Sequence, residues 1–391
     1  MAISRFAFFA AAAIGSGVVA CQLLVGVNDE GGATRGDAAT NVGQKPVDEA
    51  GPTEPTCNPV HPPDRKADMG DGGGGPSYMF AVRSFLLGPH GQSAVGYDLD
   101  DRCTGDPTVT PSDSPCTPYA PLDTVTDKPH GLDNAFGKML EDSPIDTDAG
   151  ADPGAINLNK EVKGGRLSVL INLVDYNGEA DDDYVTAAIA TSHQLSSIGC
   201  DPDASISVDS GAKLSPQWDG CDTWSYAPGT PVIEGTGGVV VPADVWKGYV
   251  VDHTLVAPVE TLSFNLGGKM FSLKDAVLTG QLEGSGSKLQ LTHALFTGRV
   301  EASELVGFAS RFELNGEIIC EAPKNAGMLP VIKRRVCDAR DIPLRKADDG
   351  KGQKCNAVSF ALGFDAEQAR MGREGPAPPD ACPTLDTACA D

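Results

Sequence analysis

The stretch "MFSLKDAVLTGQLEGSGSKLQLTHALFTGRV", Met270–Val300, decides the fold. Its two halves are rich in apolar and β-branched residues, and a Gly-Ser segment separates them. That order predicts a β-hairpin with "GSGS" as its turn. Similar stretches lie on both sides. Upstream come "PSYMFAVRSFLLG", "GRLSVLINLVDYNG", "DYVTAAIATS", "GGVVVP", "GYVVDHTLVAP" and "TLSFNLGG"; downstream come "RFELNGEIIC" and "AVSFALGF". Tyr78, Phe80 and Val82 alternate with Met79, Ala81 and Arg83, and Val185, Ala187 and Ile189 recur at every second position. Both patterns are those of strands.

Helical spacing is confined to two places. Phe136, Met139 and Leu140 fall on one side of a short helix, and Ala302, Leu305, Val306 and Ala309 predict a second, with Ser303 near its start. No repeat of 20–50 residues is evident, which argues against propellers and solenoids. The expected class is all-β: a large β-sandwich or jelly-roll-like domain with one or two short helices, stapled by disulfides. It should span 76–370 as one domain, with two stacked sandwiches divided near 226 as the alternative.

The N-terminus has a different character. Arg5, the apolar run Phe6–Ala20 and the small residues before Cys21 have the order of an export signal over 1–20. The run is short for a membrane span. Val18-Val19-Ala20-Cys21 resembles the lipobox of bacterial lipoproteins. The resemblance implies that Cys21 carries the lipid, so that acyl chains partner the chain with a membrane. Gln22 stands where an Asp directs retention at the inner membrane, which implies the outer membrane, at its periplasmic face or the cell surface. Residues 22–75 lack Phe, Trp and Tyr and are rich in Gly and Pro, so 21–75 reads as a flexible acidic tether. The tail 371–391 is Pro-rich. The sequence "CQLLVGV", the tether, and the phrases "GYDLD", "DNAFG", "DYNGEADDD" and "AVSFALGFDA" are also similar in style to uncharacterised predicted lipoproteins of myxobacteria. That similarity implies a compartment and no activity.

Beyond Cys21 there are ten cysteines, an even number for an exported chain, and five disulfides are expected. Proximity favours Cys103–Cys116, Cys200–Cys221 and Cys382–Cys389. Cys57, Cys320, Cys337 and Cys355 then share two bonds, of which Cys337–Cys355 with Cys57–Cys320 is one option. With no Cys-x-x-Cys, zinc and thioredoxin-like chemistry lose their usual support. The formal charge is −24, which repels nucleic acid and attracts cations.

Catalytic signatures are missing. There is no Gly-x-Ser-x-Gly and no His-Glu-x-x-His. "GLDNAFGKM" imitates a phosphate loop, but it has one residue too many between its glycines, and Met139 replaces the hydroxyl that would bind magnesium. The densest group of oxygen donors is "DYNGEADDD". There Asp175, Asn177, Glu179, Asp181 and Asp183 approach the alternate spacing of a calcium loop, without the glycine and glutamate of an EF-hand. Asp98, Asp100 and Asp101 in "GYDLDD" form a second, smaller candidate. Calcium is the one cofactor expected. Trp218, Trp224 and Tyr226 in "QWDGCDTWSY" are candidates for stacking on a sugar, the alternative being that they cover the edge of the core. The expected function is a lipid-anchored binding or structural protein that recognises a glycan or another surface protein, with calcium. The alternative is an exported hydrolase acting on polysaccharide.

Overall fold

Strand β1 (Tyr78–Leu86) has a hydrogen-bonded neighbour on each edge, and that closes the fold. Phe80 pairs with Ile171 of β2 (Ser168–Val174) on one side and with Gln368, far along the chain, on the other. The computed structural model describes residues 57–67, 74–86, 95–105, 114–119, 126–141, 153–201, 206–207, 214–228, 246–266, 269–311, 313–314, 317–320, 327–376, 382 and 385–389. The chain divides after Pro52. Met1–Pro52, which holds the predicted signal and Cys21, lies outside the described residues, and Thr53–Asp391 is one unit.

After β2 come β3 (Asp182–Ser192), β4 (Gln194–Ile198), β5 (Ile206–Ser207), β6 (Thr223–Tyr226), β7 (Trp246–Val251), β8 (Thr254–Leu266), β9 (Lys269–Glu283), β10 (Gln290–Glu301), β11 (Glu313–Leu314), β12 (Glu317–Ile318), β13 (Ala357–Gln368) and β14 (Arg370–Glu374). Four helices intervene: α1 (Ala135–Glu141), α2 (Pro153–Lys163), α3 (Ala302–Ala309) and α4 (Met328–Asp338). The class is all-β with short helices and disulfide staples, as the strand patterns predict. Its eight long strands lie in one antiparallel sheet that closes in the order β1-β13-β10-β9-β8-β7-β3-β2. The hairpin at 270–300 is β9 and β10, and the predicted helix at Ala302 is α3. "TLVAP" and "TLSFNL" join into the single strand β8, while "GGVVVP" lies outside the described residues.

An eight-stranded barrel is just wide enough for side chains to fill it. Phe80, Phe271, Phe296, Phe360 and Phe364 are enclosed in one cluster with Leu305 and Phe308 of α3 and Phe136 of α1. Phe296 stacks on Phe364 with ring centroids 4.3 Å apart, and Phe136 on Phe360 at 4.6 Å. Each such ring contributes about 1.5–3 kcal/mol by leaving water. Along β8 and β9, Leu262, Phe264, Phe271 and Leu273 are buried, while Ser263, Asn265, Ser272 and Lys274 keep contact with water. This apolar-in, polar-out alternation is the reverse of a lipid-facing barrel. Among the described residues no helix is long and apolar enough to cross a membrane.

A second core lies outside the barrel. Ala81, Leu170 and Ala190 pack there against Leu195 and Trp224 of a small sheet ordered β14-β6-β4-β5. The tail beyond β13 therefore starts as a strand of that sheet.

The ten cysteines after Cys21 form five bridges: Cys57–Cys103, Cys116–Cys355, Cys200–Cys221, Cys320–Cys382 and Cys337–Cys389. They indicate export to an oxidising compartment. Of the pairs expected from proximity only Cys200–Cys221 forms. Cys103–Cys116, Cys382–Cys389, Cys337–Cys355 and Cys57–Cys320 do not. Spatial neighbourhood here follows barrel closure, which sets Thr117 beside Lys354 and brings Cys116 to Cys355. The tail is tied to α4 and to Cys320 instead of to itself.

Candidate metal centre

Arg299 on β10 and Ser359 on β13 are cross-strand partners, and both are fully buried although they alternate with lumen residues Val300, Val358 and Phe360. What buries them is a cap of loops laid on the outer face of the barrel. Arg299 donates to the carbonyls of Leu99 (2.6 Å) and Pro343 (3.0 Å) and forks onto Asp349 at 2.6 and 2.7 Å. Ser359 donates its N–H (2.8 Å) and its hydroxyl to the Asp341 carboxylate. Cys57–Cys103 and Cys116–Cys355 bind the same cap covalently.

The loop 96–102 is shaped by Asp98. Its Oδ1 accepts the backbone N–H groups of Asp100 (3.1 Å), Asp101 (2.5 Å) and Arg102 (3.2 Å), a tight turn with Asp101 left-handed at φ 60°. Asp133 joins from the neighbouring loop, donating its N–H to the Tyr97 carbonyl (3.1 Å) and accepting that of Leu99 (2.7 Å). Asp98, Asp100 and Asp133 thereby each bring one carboxylate oxygen to within 4.8 Å of the others. Asp98 is 4 % exposed, Asp100 6 % and Asp133 2 %. Asp98 Oδ2, Asp100 Oδ1 and the Thr104 hydroxyl are buried with no hydrogen-bond partner.

Two more carboxylates lie close in charge. Asp127 accepts the Thr104 N–H, and it shares a small cleft with Asp341. Burial is the main cause that pushes Asp98 up to about 6, Asp100 to about 7, Asp127 to about 9 and Asp341 to about 7, and that holds Asp133 well above the usual carboxylate range. Repulsion adds to it, from exposed Asp101 at Asp98 and from buried and half-buried neighbouring carboxylates at the others. Arg299 pulls Asp100 the other way, but its hydrogen bonds go to Asp349 and the two carbonyls. A buried carboxylate without partners must take a proton or a cation.

Gly131 shows how tightly this corner is built. Its φ is +69°, and a Cβ there would stand 2.4 Å from Asp98 Oδ2 and 2.4 Å from the Arg102 carbonyl oxygen.

The other candidate residues are placed differently. The loop Asp175–Asp183 joins β2 to β3. Asn177 Oδ1 accepts the Glu179 N–H at 2.8 Å, and its amide donates to the Asp181 carbonyl at 3.3 Å. Asp181 pairs with Lys66 at 2.8 Å and Asp183 with Arg65 at 2.5 Å. The Lys66 hydrogen bond holds the Asp181 carboxyl below its ordinary value. Buried Asp182 accepts the N–H groups of Asn177 (2.7 Å) and Tyr184 (3.1 Å). Among the described residues its acids do not converge as the Asp98 group does. Asp101 is exposed and meets Lys346 at 3.0 Å, apart from the buried pair Asp98 and Asp100. Trp224 is fully buried, and Trp218 and Tyr226 pack against the same cluster, with the two indoles 6.0 Å apart. Cys200, Asp219 and Cys221 lie together, but both sulfurs are committed to a disulfide.

Sequence reasoning found Asp98 and Asp100 and missed Asp133, Asp127, Asp341 and Arg299. Asp133 and Gly131 belong to "GLDNAFGKM", whose glycines were the visible signal.

No protein-family model matches this chain, no curated protein matches it in sequence, and no solved structure matches it.

Proposed function

We propose that the protein is a lipid-anchored, non-enzymatic binding or structural module at the outer membrane, held clear of the lipid by its N-terminal segment. Val18-Val19-Ala20-Cys21 supports the anchor, since two or more acyl chains give stable attachment. The observation that carries the binding reading is the nearly filled lumen, whose apolar cavity of about 20 Å³ beside Phe271, Phe296 and Phe360 has room for little more than one water. Phe80, Phe271, Phe296, Phe360 and Phe364 occupy the place where a hollow barrel would keep a ligand or a cleft for chemistry. Recognition is thus assigned to the outer surface, toward a glycan or another surface protein. The bridges near both ends of the described chain, Cys57–Cys103 and Cys337–Cys389, suit a platform exposed to proteases and changing conditions.

Two measurements test this. Radiolabelled palmitate should enter the wild type and not Cys21→Ser, because serine cannot form the thioether; equal labelling of both rules out the anchor. The purified protein should bind glycans on an array, or a surface protein on intact cells, with no turnover of polysaccharide substrates. Release of reducing ends from a polysaccharide by the pure protein would overturn the non-enzymatic reading.

A further inference from the structure

The Asp98–Asp100–Asp133 group differs from an ordinary acidic patch in having buried oxygens that nothing in the protein satisfies. Asp98 Oδ1 is saturated by three backbone N–H groups, yet its other oxygen, and Asp100 Oδ1, have no donor. An unmet buried acceptor is destabilising, and more so when charged. Arg299 and Arg102 both attract the Asp100 charge, but Arg299 spends its hydrogen bonds on Asp349 and two carbonyls, and neither donates to Asp98 Oδ2 or Asp100 Oδ1. The donors available are all oxygen: every cysteine among the described residues is bonded, and no histidine belongs to the group. Oxygen-only sites select hard cations over zinc or copper. Carboxylates drawn from separate loops suit the variable coordination of calcium better than the strict octahedron of magnesium.

We propose that Asp98, Asp100 and Asp133 together hold one divalent cation of the calcium class, which locks loop 95–105 to loop 126–134 on the outer face of the barrel. The ion meets the two carboxylate oxygens that no donor reaches, while Arg299 and Arg102 offset part of the negative charge from a distance. Gly131 keeps the space around Asp98 Oδ2 open, since any side chain there would collide with that oxygen. The site is independent of the anchor and of whatever the outer surface recognises.

Full-length protein is stripped with EDTA and dialysed. Calcium retained after re-addition is counted by elemental mass spectrometry, and the melting temperature is followed against calcium and against magnesium at equal ionic strength. Wild type should hold about one calcium per chain with an affinity in the extracellular range, roughly 10⁻⁴–10⁻³ M or tighter. Its melting temperature should rise by several degrees, more with calcium than with magnesium. Asp100→Asn/Asp133→Asn should lose both the ion and the response. In EDTA it should melt at least as high as wild type, because the repulsion is gone, a result that mere structural damage would not produce. Asp181→Asn/Asp183→Asn should keep the full response. No retained calcium in the wild type overturns the site whether or not any variant folds. It is equally overturned if Asp100→Asn/Asp133→Asn keeps the response or if Asp181→Asn/Asp183→Asn abolishes it.

Discussion

The loop Asp175–Asp183 and the cluster Asp98–Asp100–Asp133 both crowd carboxylates, but the first is met by direct ion pairs, while in the second Asp98 Oδ2 and Asp100 Oδ1 have no donor. Lys66 reaches Asp181 and Asp252, Arg65 reaches Asp183, and water reaches all of them. The cluster has fewer acids and is buried, and Arg299 and Arg102 attract Asp100 without donating to its unsatisfied oxygen. Density of acidic residues along a sequence therefore measures how much charge a loop must dissipate. It says little about whether that charge is left over for an ion. Burial and the absence of a partner are what leave it over, and both depend on what the rest of the chain places nearby.

Glycines at the two places break the symmetry most strongly. Gly131 and Gly178 both sit at left-handed φ, +69° and +87°, so alanine strains the backbone at either. At Gly178 a methyl group meets nothing within 4 Å, and Gly178→Ala should cost about 1 kcal/mol. At Gly131 it collides with Asp98 Oδ2 and the Arg102 carbonyl, and Gly131→Ala should cost about 3 kcal/mol or more and abolish the calcium response. Denaturant unfolding of both variants checks this. Equal costs would mean that the corner around Asp98 yields easily and is not a built site.

Much of the barrel was legible in the sequence. Alternation marks β1, β3 and the β9–β10 hairpin, and the spacing of Leu305 and Val306 marks α3, because each of these buries one face and leaves the other wet. Closure was not legible. It depends on β1 finding β13, and no local pattern records a ladder between residues so far apart. The disulfides share that blindness: Cys116 and Cys355 are 239 residues apart and become neighbours only after closure. The site was half visible. "GYDLDD" supplies Asp98 and Asp100, while Asp133 arrives from a stretch whose glycines suggested phosphate. Trp224 is a different case. Its composition suited a sugar platform, but the small sheet needs an apolar centre and encloses it.

pH separates the two acidic regions by sign. In EDTA the cluster carboxyls have folded-state values raised by burial, Asp98 to about 6 and Asp100 to about 7, against about 3.9 in the unfolded chain. Between these values the native state binds more protons than the unfolded state, so stability falls as pH rises. The penalty is absent below about pH 4 and complete only above the folded-state values, and Asp133, also raised by burial, acts with the same sign. Asp181 acts oppositely, since Lys66 lowers its value: its contribution is present above the unfolded value and is lost as the pH falls through the folded one. The chelated protein should therefore melt higher near about pH 5.5 than near about pH 8, and saturating calcium should flatten that slope by replacing protons with the ion. A chelated melting temperature that climbs steadily toward pH 8 would mean that the cluster carboxyls ionise freely and need no cation.

The smallest effect is expected from Lys66→Met. Lys66 sits between two acids, Asp181 at 2.8 Å and Asp252 at 2.7 Å, but all three are open to water and screened by salt. Exposed pairs of this kind contribute little. Removing the ammonium should lower the melting temperature slightly at low salt. The loss should vanish at about 1 M salt, where the screening length falls to about 3 Å. The same variant also puts the first comparison at risk. Without Lys66, Asp181 and Asp252 face each other unpaired, and the loop most resembles the calcium loop its spacing imitates. If the lysine were only occupying a latent ion site, Lys66→Met should bind a second calcium and gain a second stabilising phase on titration. We expect neither, because Asn177 is already bonded to the Glu179 N–H and the Asp181 carbonyl, and Asp182 to the Asn177 and Tyr184 N–H groups. A loop whose oxygens are taken up by its own backbone has no coordination shell to offer, whatever its charge.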